Sequence, residues 1–231
     1  MSRLLALALA AGTILAAPAT AALAAPVPAR IRGTVAAIAG NTLTVHPTAG
    51  KDVAVTLTPR TGYREVLKSS LHHVVPGAYI GTAATAIGHK LVALEVVVFP
   101  PAMKGVGEGH YAWSRMPDTA LAGRGTTAST MTNGTVSTAA PVGGKMVNST
   151  MTNGTISTAS QSGSAKQIVV TYKGGKQTII VPPNVPIVTL KPGKKSDVTP
   201  GAAVFVAGTR ADGKVSAIAV DVGIDGVKPP M

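Results

Sequence analysis

The chain contains no cysteine in its 231 residues. That excludes disulfides, thiolate nucleophiles, thiolate metal sites and a lipid-modified cysteine behind an export signal. Aromatic residues are scarce, with two Phe, four Tyr and one Trp, so a core must be assembled from Val, Ile, Leu and Ala. Nine Asp and Glu stand against 21 Lys and Arg, which leaves few carboxylate pairs to divide acid and base roles. Beyond the first residues no apolar run exceeds strand length, LVALEVVVF at 91–99 included, and a spanning helix needs roughly 18 or more. Catalytic signatures are missing too. There is no GxSxG elbow, Lys145 after Gly143-Gly144 lacks the remainder of a phosphate-cradling loop, and Gly105-Val106-Gly107-Glu108-Gly109 leads into HYAWSRMPD rather than a helix. The chain reads as a protein that is not an enzyme and carries no cofactor.

What is present begins with MSRLLALALAAGTILAAPATAALA. A basic start at Arg3, an apolar stretch from Leu4 to Leu15, Pro18 and a small-residue end at Ala22-Leu23-Ala24 have the pattern of a secretory signal helix. The expectation is cleavage after Ala24 and a periplasmic or secreted mature chain without a transmembrane segment. Formal net charge is +12, falling to +11 without Arg3, which draws the chain toward anionic surfaces. The lysines Lys51, Lys90, Lys173, Lys176 and Lys214 are scattered over turn sequences, so they read either as solvated turn charges or as an anion-binding face. No nucleic acid is expected as a partner.

Residues 31–99 and 154–222 read as two copies of one β-module. Pro76-Gly77 and Pro200-Gly201, Lys90 and Lys214, and Ala93 and Ala217 are each 124 residues apart. In the first copy Ile31–Val35, Thr42–Val45 and Val53–Leu57 alternate in polarity as a three-stranded meander. Glu65–Leu71 follows as a short helical element, then Pro76-Gly77 as a turn, then strands at Ala78–Ala86 and Leu91–Phe99. The second copy repeats that order, with hairpin turns at Gly174-Gly175 and Asp212-Gly213. The pattern predicts an all-β fold of two tandem five-stranded OB-like barrels; one sandwich of ten strands is the alternative. The division is a signal peptide at 1–24, a first module at 25–100, a Gly-rich linker at 101–128, a second module at 129–222 and a tail at 223–231. A shorter repeat, STMTNGTVSTAA at 129–140 and STMTNGTISTAS at 149–160, adds an extra strand or hairpin to the second module. The later copy is taken as the counterpart of Gly33-Thr34-Val35.

GTVAAIAGNTLTVHPTAGKDVAVTLT, SSLHHVVPGAYIGTAA and LVALEVVVFP resemble a widespread bacterial family of exported small β-barrel domains of unknown function. The longer arrangement, with GEGHYAW, MTNGT, VTYKGG, VPPNVPIV and a terminal DGVKPPM, is similar to a narrower group of two-module proteins of Gram-negative bacteria. Members of that group often bear the description metal ABC transporter permease, which a chain lacking spanning helices contradicts. The resemblance implies fold and export, and supplies no functional residues.

Glu108, His110, Tyr111 and Trp113 form the one concentration of functional side-chain types, in a Gly-rich stretch where backbone can close around a ligand. They are the candidate ligand-binding residues, with packing of Tyr111 and Trp113 between modules as the bland alternative. The five histidines, His46, His72, His73, His89 and His110, have no chelating spacing, and adjacent His72 and His73 diverge. Met131, Met146 and Met151 lack a compact Met-x-x-Met pattern. No metal site is assigned. The functional expectation is a non-catalytic binding or structural protein of the envelope, acting on an anionic envelope polymer or another periplasmic protein. A copper- or zinc-handling accessory is the alternative.

Overall fold

A computed structural model describes residues 25–48, 50–117, 119, 125–142 and 165–229. The expected signal sequence at 1–24, the later repeat copy at 149–160, Met146 and Met151 lie outside them. The described chain is all-β. Fifteen strands run in order as β1 (Val27–Ala39), β2 (Thr42–Pro47), β3 (Val53–Thr56), β4 (Gly62–Lys68), β5 (Tyr79–Ile87), β6 (Lys90–Val98), β7 (Gly109–Ala112), β8 (Met116–Pro117), β9 (Thr126–Thr127), β10 (Thr130–Pro141), β11 (Lys166–Tyr172), β12 (Gly175–Val181), β13 (Ile187–Pro192), β14 (Ala203–Ala211) and β15 (Lys214–Gly223). The described helical structure is limited to 3-10 turns at Leu71–His73, Pro101–Met103 and Lys195–Asp197.

Thirteen strands share one sheet, ordered β12-β11-β10-β5-β6-β13-β4-β15-β14-β1-β2-β3, with β7 paired to β10. Two further pairings, β15 with β3 and β12 with β6, close each end of that path into a five-stranded ring. One ring is β1-β2-β3-β15-β14 and the other is β10-β11-β12-β6-β5. Polarity alternation dictates what each encloses. In the first, Val35, Leu43, Val45, Val55, Val206, Val215 and Val220 point inward in one buried cluster. In the second, Ile80, Ala93, Val96, Val136, Ile168, Val170 and Ile179 do the same. Aliphatic burial of this kind contributes about 1.5–3 kcal/mol for each large side chain, and it replaces the aromatics the chain lacks.

The rings do not follow the halves of the sequence. Each takes three strands from one repeat and two from the other, so the tandem order expected from the duplication is replaced by an exchange. Its cause lies at β4 and β13. Glu65-Val66-Leu67-Lys68, expected as a helical turn, is the end of an extended strand, and the turn begins only at Leu71. Seven extended residues carry the chain about 23 Å, whereas the same number in a helix rise about 10 Å. The strand therefore delivers β5 and β6 away from their own meander. β4 and β13 pair antiparallel with each other, Leu190 opposite Val66, which satisfies their backbone groups at the junction.

The duplication itself is carried by the pairing registers. Val215 opposite Val55 in one ring matches Leu91 opposite Ile179 in the other, 124 residues apart on each strand. Val220 opposite Tyr63 matches Val96 opposite Ile187 in the same way. The counterpart of β1, however, is β10, the earlier of the two MTNGT copies. Both strands carry a bulge just past the Val of Gly-Thr-Val, between Val35 and Ala37 and between Val136 and Thr138. Both place that Gly where a Cβ would strike the neighbouring strand: 2.1 Å from the His46 carbonyl oxygen at Gly33, and 2.3 Å from that of Thr171 at Gly134. The stretch expected as a surface linker also holds structure, since β7 pairs with β10 and β8 with β9.

Candidate functional site

A cleft of about 500 Å³ opens where the two rings meet. Its walls come from β1 and β2 of one ring (Arg32, His46), β6 of the other (Leu94, Glu95), the segment after β7 (Met116, Thr119) and the tail at Lys228. That size suits a small ligand or the end of a longer one.

The charged side chains in the cleft wall are Arg32, Lys228 and the buried Glu95. On β1, Ala29 and Ile31 face the ring interior, so strand alternation sends Arg30 and Arg32 to the opposite face. Arg32 Nη1 donates to Ser114 Oγ at 3.1 Å and Nη2 lies 3.0 Å from Met116 Sδ, while the guanidinium sits 5.3 Å from the Phe205 ring centroid. Its Nε is buried, and no acceptor among the described residues bonds it. Burial lowers the Arg32 pKa from its ordinary value, the buried Glu95 carboxylate opposes that shift, and the Arg30 charge adds to it. Arg30 lies 3.8 Å from the centroid of Trp113, a cation–π contact at an accessible position.

At the matching place in the other ring the same positions are spent internally. Asn133 stands for Arg32, and its Nδ2 donates to the Gly107 carbonyl at 2.9 Å and to Tyr111 Oη at 3.2 Å. Met131 stands for Arg30 and is buried with Ala83, Leu94 and Met116. One side of the duplicated fold is thus closed by its own loop, and the other keeps a cationic cleft.

The four residues singled out from the sequence do not converge. Glu108 Oε1 accepts the Lys173 backbone N–H at 3.0 Å. On β7, His110 faces one way, with Nδ1 2.8 Å from Thr132 Oγ1 and its ring stacked on Tyr172 at 6.2 Å. Tyr111 and Trp113 face the other way, edge to face at 5.9 Å against the buried Met131 cluster. Burial raises the Tyr111 pKa, with the Arg30 charge opposing. It pushes Tyr79, which donates to the Val106 carbonyl at 3.0 Å, up to about 12, with the charge of Glu108 and then Tyr111 adding. None of the four lines the cleft, and Trp113 packs against Arg30, two residues along β1 from the cleft's Arg32. Its indole N–H is also buried without an acceptor among the described residues.

The remaining histidines are dispersed. His46 Nδ1 is 2.6 Å from Asp52 Oδ1 in an exposed hairpin, and His73 Nδ1 is 3.1 Å from Ser69 Oγ. Lys51, Lys90, Lys173, Lys176 and Lys214 are all exposed, and none lines the cleft. Sequence reasoning missed Arg30 and Arg32. Their signal was available in Ala29-Arg30-Ile31-Arg32-Gly33, where like charges two apart on an alternating strand must share a face. Comparison with protein-family models, curated proteins and solved structures finds no match to this chain.

Proposed function

We propose that the protein is a non-catalytic binding or structural component of the cell envelope, exported behind residues 1–24 and built from two OB-like barrels. Its cleft takes a ligand, free or at the end of an envelope polymer, that joins an acidic group to an apolar portion. The observation that carries this reading is the Arg32 guanidinium, held at the cleft wall with a buried Nε–H that bonds no acceptor among the described residues. Leu94, Met116 and Val204 supply the apolar side. Four carboxylates serve the fold itself, which suits a non-catalytic role: Asp221 pairs with Arg64, Asp52 with His46, Asp197 accepts from the Lys194 N–H and Glu108 from the Lys173 N–H. The copper or zinc alternative is not favoured, since no three His, Asp or Glu among the described residues are grouped.

The single tryptophan provides the assay. Decanoate and decyl phosphate, with decanol as the uncharged control, are titrated against Trp113 emission. Saturable binding of the two anions that persists in moderate salt, is absent for decanol and falls at least tenfold in Arg32→Met supports the reading. Anion binding that vanishes with salt or is unchanged in Arg32→Met ends it.

A further inference from the structure

The two rings differ at one sheet edge. In the second ring, β10 residues Thr130–Asn133 pair with β5 on one side and with β7 on the other, Met131 opposite Tyr111 and Asn133 opposite Gly109. The equivalent stretch of β1, Ala29–Arg32, pairs with β14 on one side, but its ladder with β2 starts only at Gly33, opposite Pro47 at the end of β2. Among the described residues no strand takes the place that β7 holds in the other ring.

Backbone direction fixes which groups face that edge. Val35 exchanges hydrogen bonds with the segment before β14, donating to the Ala202 carbonyl and accepting from the Gly201 N–H. Residues at odd positions of β1 before the bulge therefore point toward β14 and those at even positions point away. Consistent with this, the Thr48 N–H donates to the Arg32 carbonyl at 3.2 Å from the β2 side. The Arg30 N–H and C=O and the Arg32 N–H remain directed outward. Pro28 offers no N–H to this edge, and Arg30 and Pro28 are exposed.

We infer that this edge of β1 is a strand-addition site for an extended acidic peptide segment of a partner protein. Strand addition supplies backbone hydrogen bonds without reading sequence, and alternate side chains supply the specificity. Here the partner residues opposite Arg30 and Arg32 share their face, so the fitting segment carries carboxylates two apart, with a small or β-branched residue between them. A second copy of this chain is a poor occupant. Antiparallel pairing of two β1 edges sets arginines beside arginines, and the chain carries a net charge of +12. Proline and edge charges also guard an open strand against aggregation, and the same two arginines turn that protection into a preference for an acidic strand. The edge shares Arg32 with the cleft, so protection of the Arg30 amide, which a ligand held in the cleft alone would not give, separates the two readings.

The probe is the peptide acetyl-Thr-Glu-Val-Glu-Val-Thr-amide, with Lys in place of Glu as control, read by Trp113 emission and by amide hydrogen exchange on the full chain. The acidic peptide is expected to bind and to slow exchange at the Arg30 and Arg32 amides, and the lysine peptide to do neither. Arg30→Gln, which keeps the N–H, is expected to weaken binding at least threefold, and Arg30→Pro, which removes it, to abolish binding while the β14 and β15 amides stay protected. Should Arg30→Pro disturb β14, the wild-type exchange data still decide. Binding without protection at Arg30 and Arg32, equal binding of the lysine peptide, or protection of those amides by the protein's own dimerisation would each overturn the inference.

Discussion

Arg64 and Asp221 face each other across the parallel strands β4 and β15 in a bidentate ion pair, Nε to Oδ1 at 2.5 Å and Nη2 to Oδ2 at 2.9 Å. The Asp221 side chain is 1% exposed and that of Arg64 24%. At the repeat-related positions, Val188 faces Val97 across β13 and β6, both buried. One fold thus holds a charged and an apolar solution to the same register position. Removing one member of a buried pair strands the other, at a cost of about 3–5 kcal/mol, while replacing both with apolar residues is often neutral or stabilising. Arg64→Val alone should destabilise by an amount in that range. Arg64→Val combined with Asp221→Val, which copies the sister site, should recover most or all of it. Urea denaturation of the three proteins tests this.

The same pair gives a pH dependence. Burial raises the Asp221 carboxyl above its ordinary value of 3.8, and the charge and hydrogen bonds of Arg64 pull the other way without cancelling the shift. A carboxyl that holds its proton more tightly when folded makes the native state bind more protons than the unfolded state between the two pKa values. This group's contribution to stability therefore rises as pH falls through that window, and its penalty is fully present above it. Asp221→Asn removes this titrating group and its contribution. Unfolding free energy measured from neutral pH down to about 4 should fall off less steeply toward acid in the wild type than in Asp221→Asn.

Strand alternation made most of the fold legible. Leu43 and Val45, Ile168 and Val170, and Val204 and Val206 are buried at period two in strands expected from their residues. The exchange between rings was not legible, because it turns on whether Gly62–Lys68 is helical or extended. Glu65-Val66-Leu67-Lys68 suits either, and pairing with β13 and β15 decides it. The choice between the two MTNGT copies was equally hidden, since both have the Gly and the β-branched residue that the β1 slot requires. For the site, Trp113 was reachable as a lone indole in a Gly-rich stretch, but the cleft depends on Glu95 and Arg32 meeting from different rings. No local pattern encodes that meeting.

Gly33 and Gly134 offer a paired test of the common ring geometry. At each, a methyl group would meet backbone rather than a movable side chain, so the strand itself must shift. Gly33→Ala and Gly134→Ala should each cost about 1–3 kcal/mol, the usual range for overpacking. Each should also accelerate amide exchange mainly in its own ring. Thermal melts with residue-resolved exchange would check both points, and an Ala variant as stable as wild type at either position would show that the bulge absorbs the methyl group.

The tail is tied to the cleft through Gly223. A Cβ there would lie 1.7 Å from the Val227 carbonyl oxygen and 3.1 Å from Pro229 Cδ, so the chain after β15 folds back directly over this glycine. The Ile224 N–H donates to the Val66 carbonyl and the Val227 N–H to that of Ile224, which holds the return in place and sets Lys228 and Pro229 into the cleft wall. Gly223→Ala should lift this return while leaving both ring interiors intact, because Val220 and Val222 precede it in the core. The expected signature is faster exchange at the Val227 amide, a melting temperature within a few degrees of wild type, and decanoate binding weakened about three- to tenfold through loss of the Lys228 charge and of one apolar wall. Unchanged decanoate affinity alongside a freed Val227 amide would show that the tail borders the cleft without contributing to binding, and would leave Arg32 as the determinant.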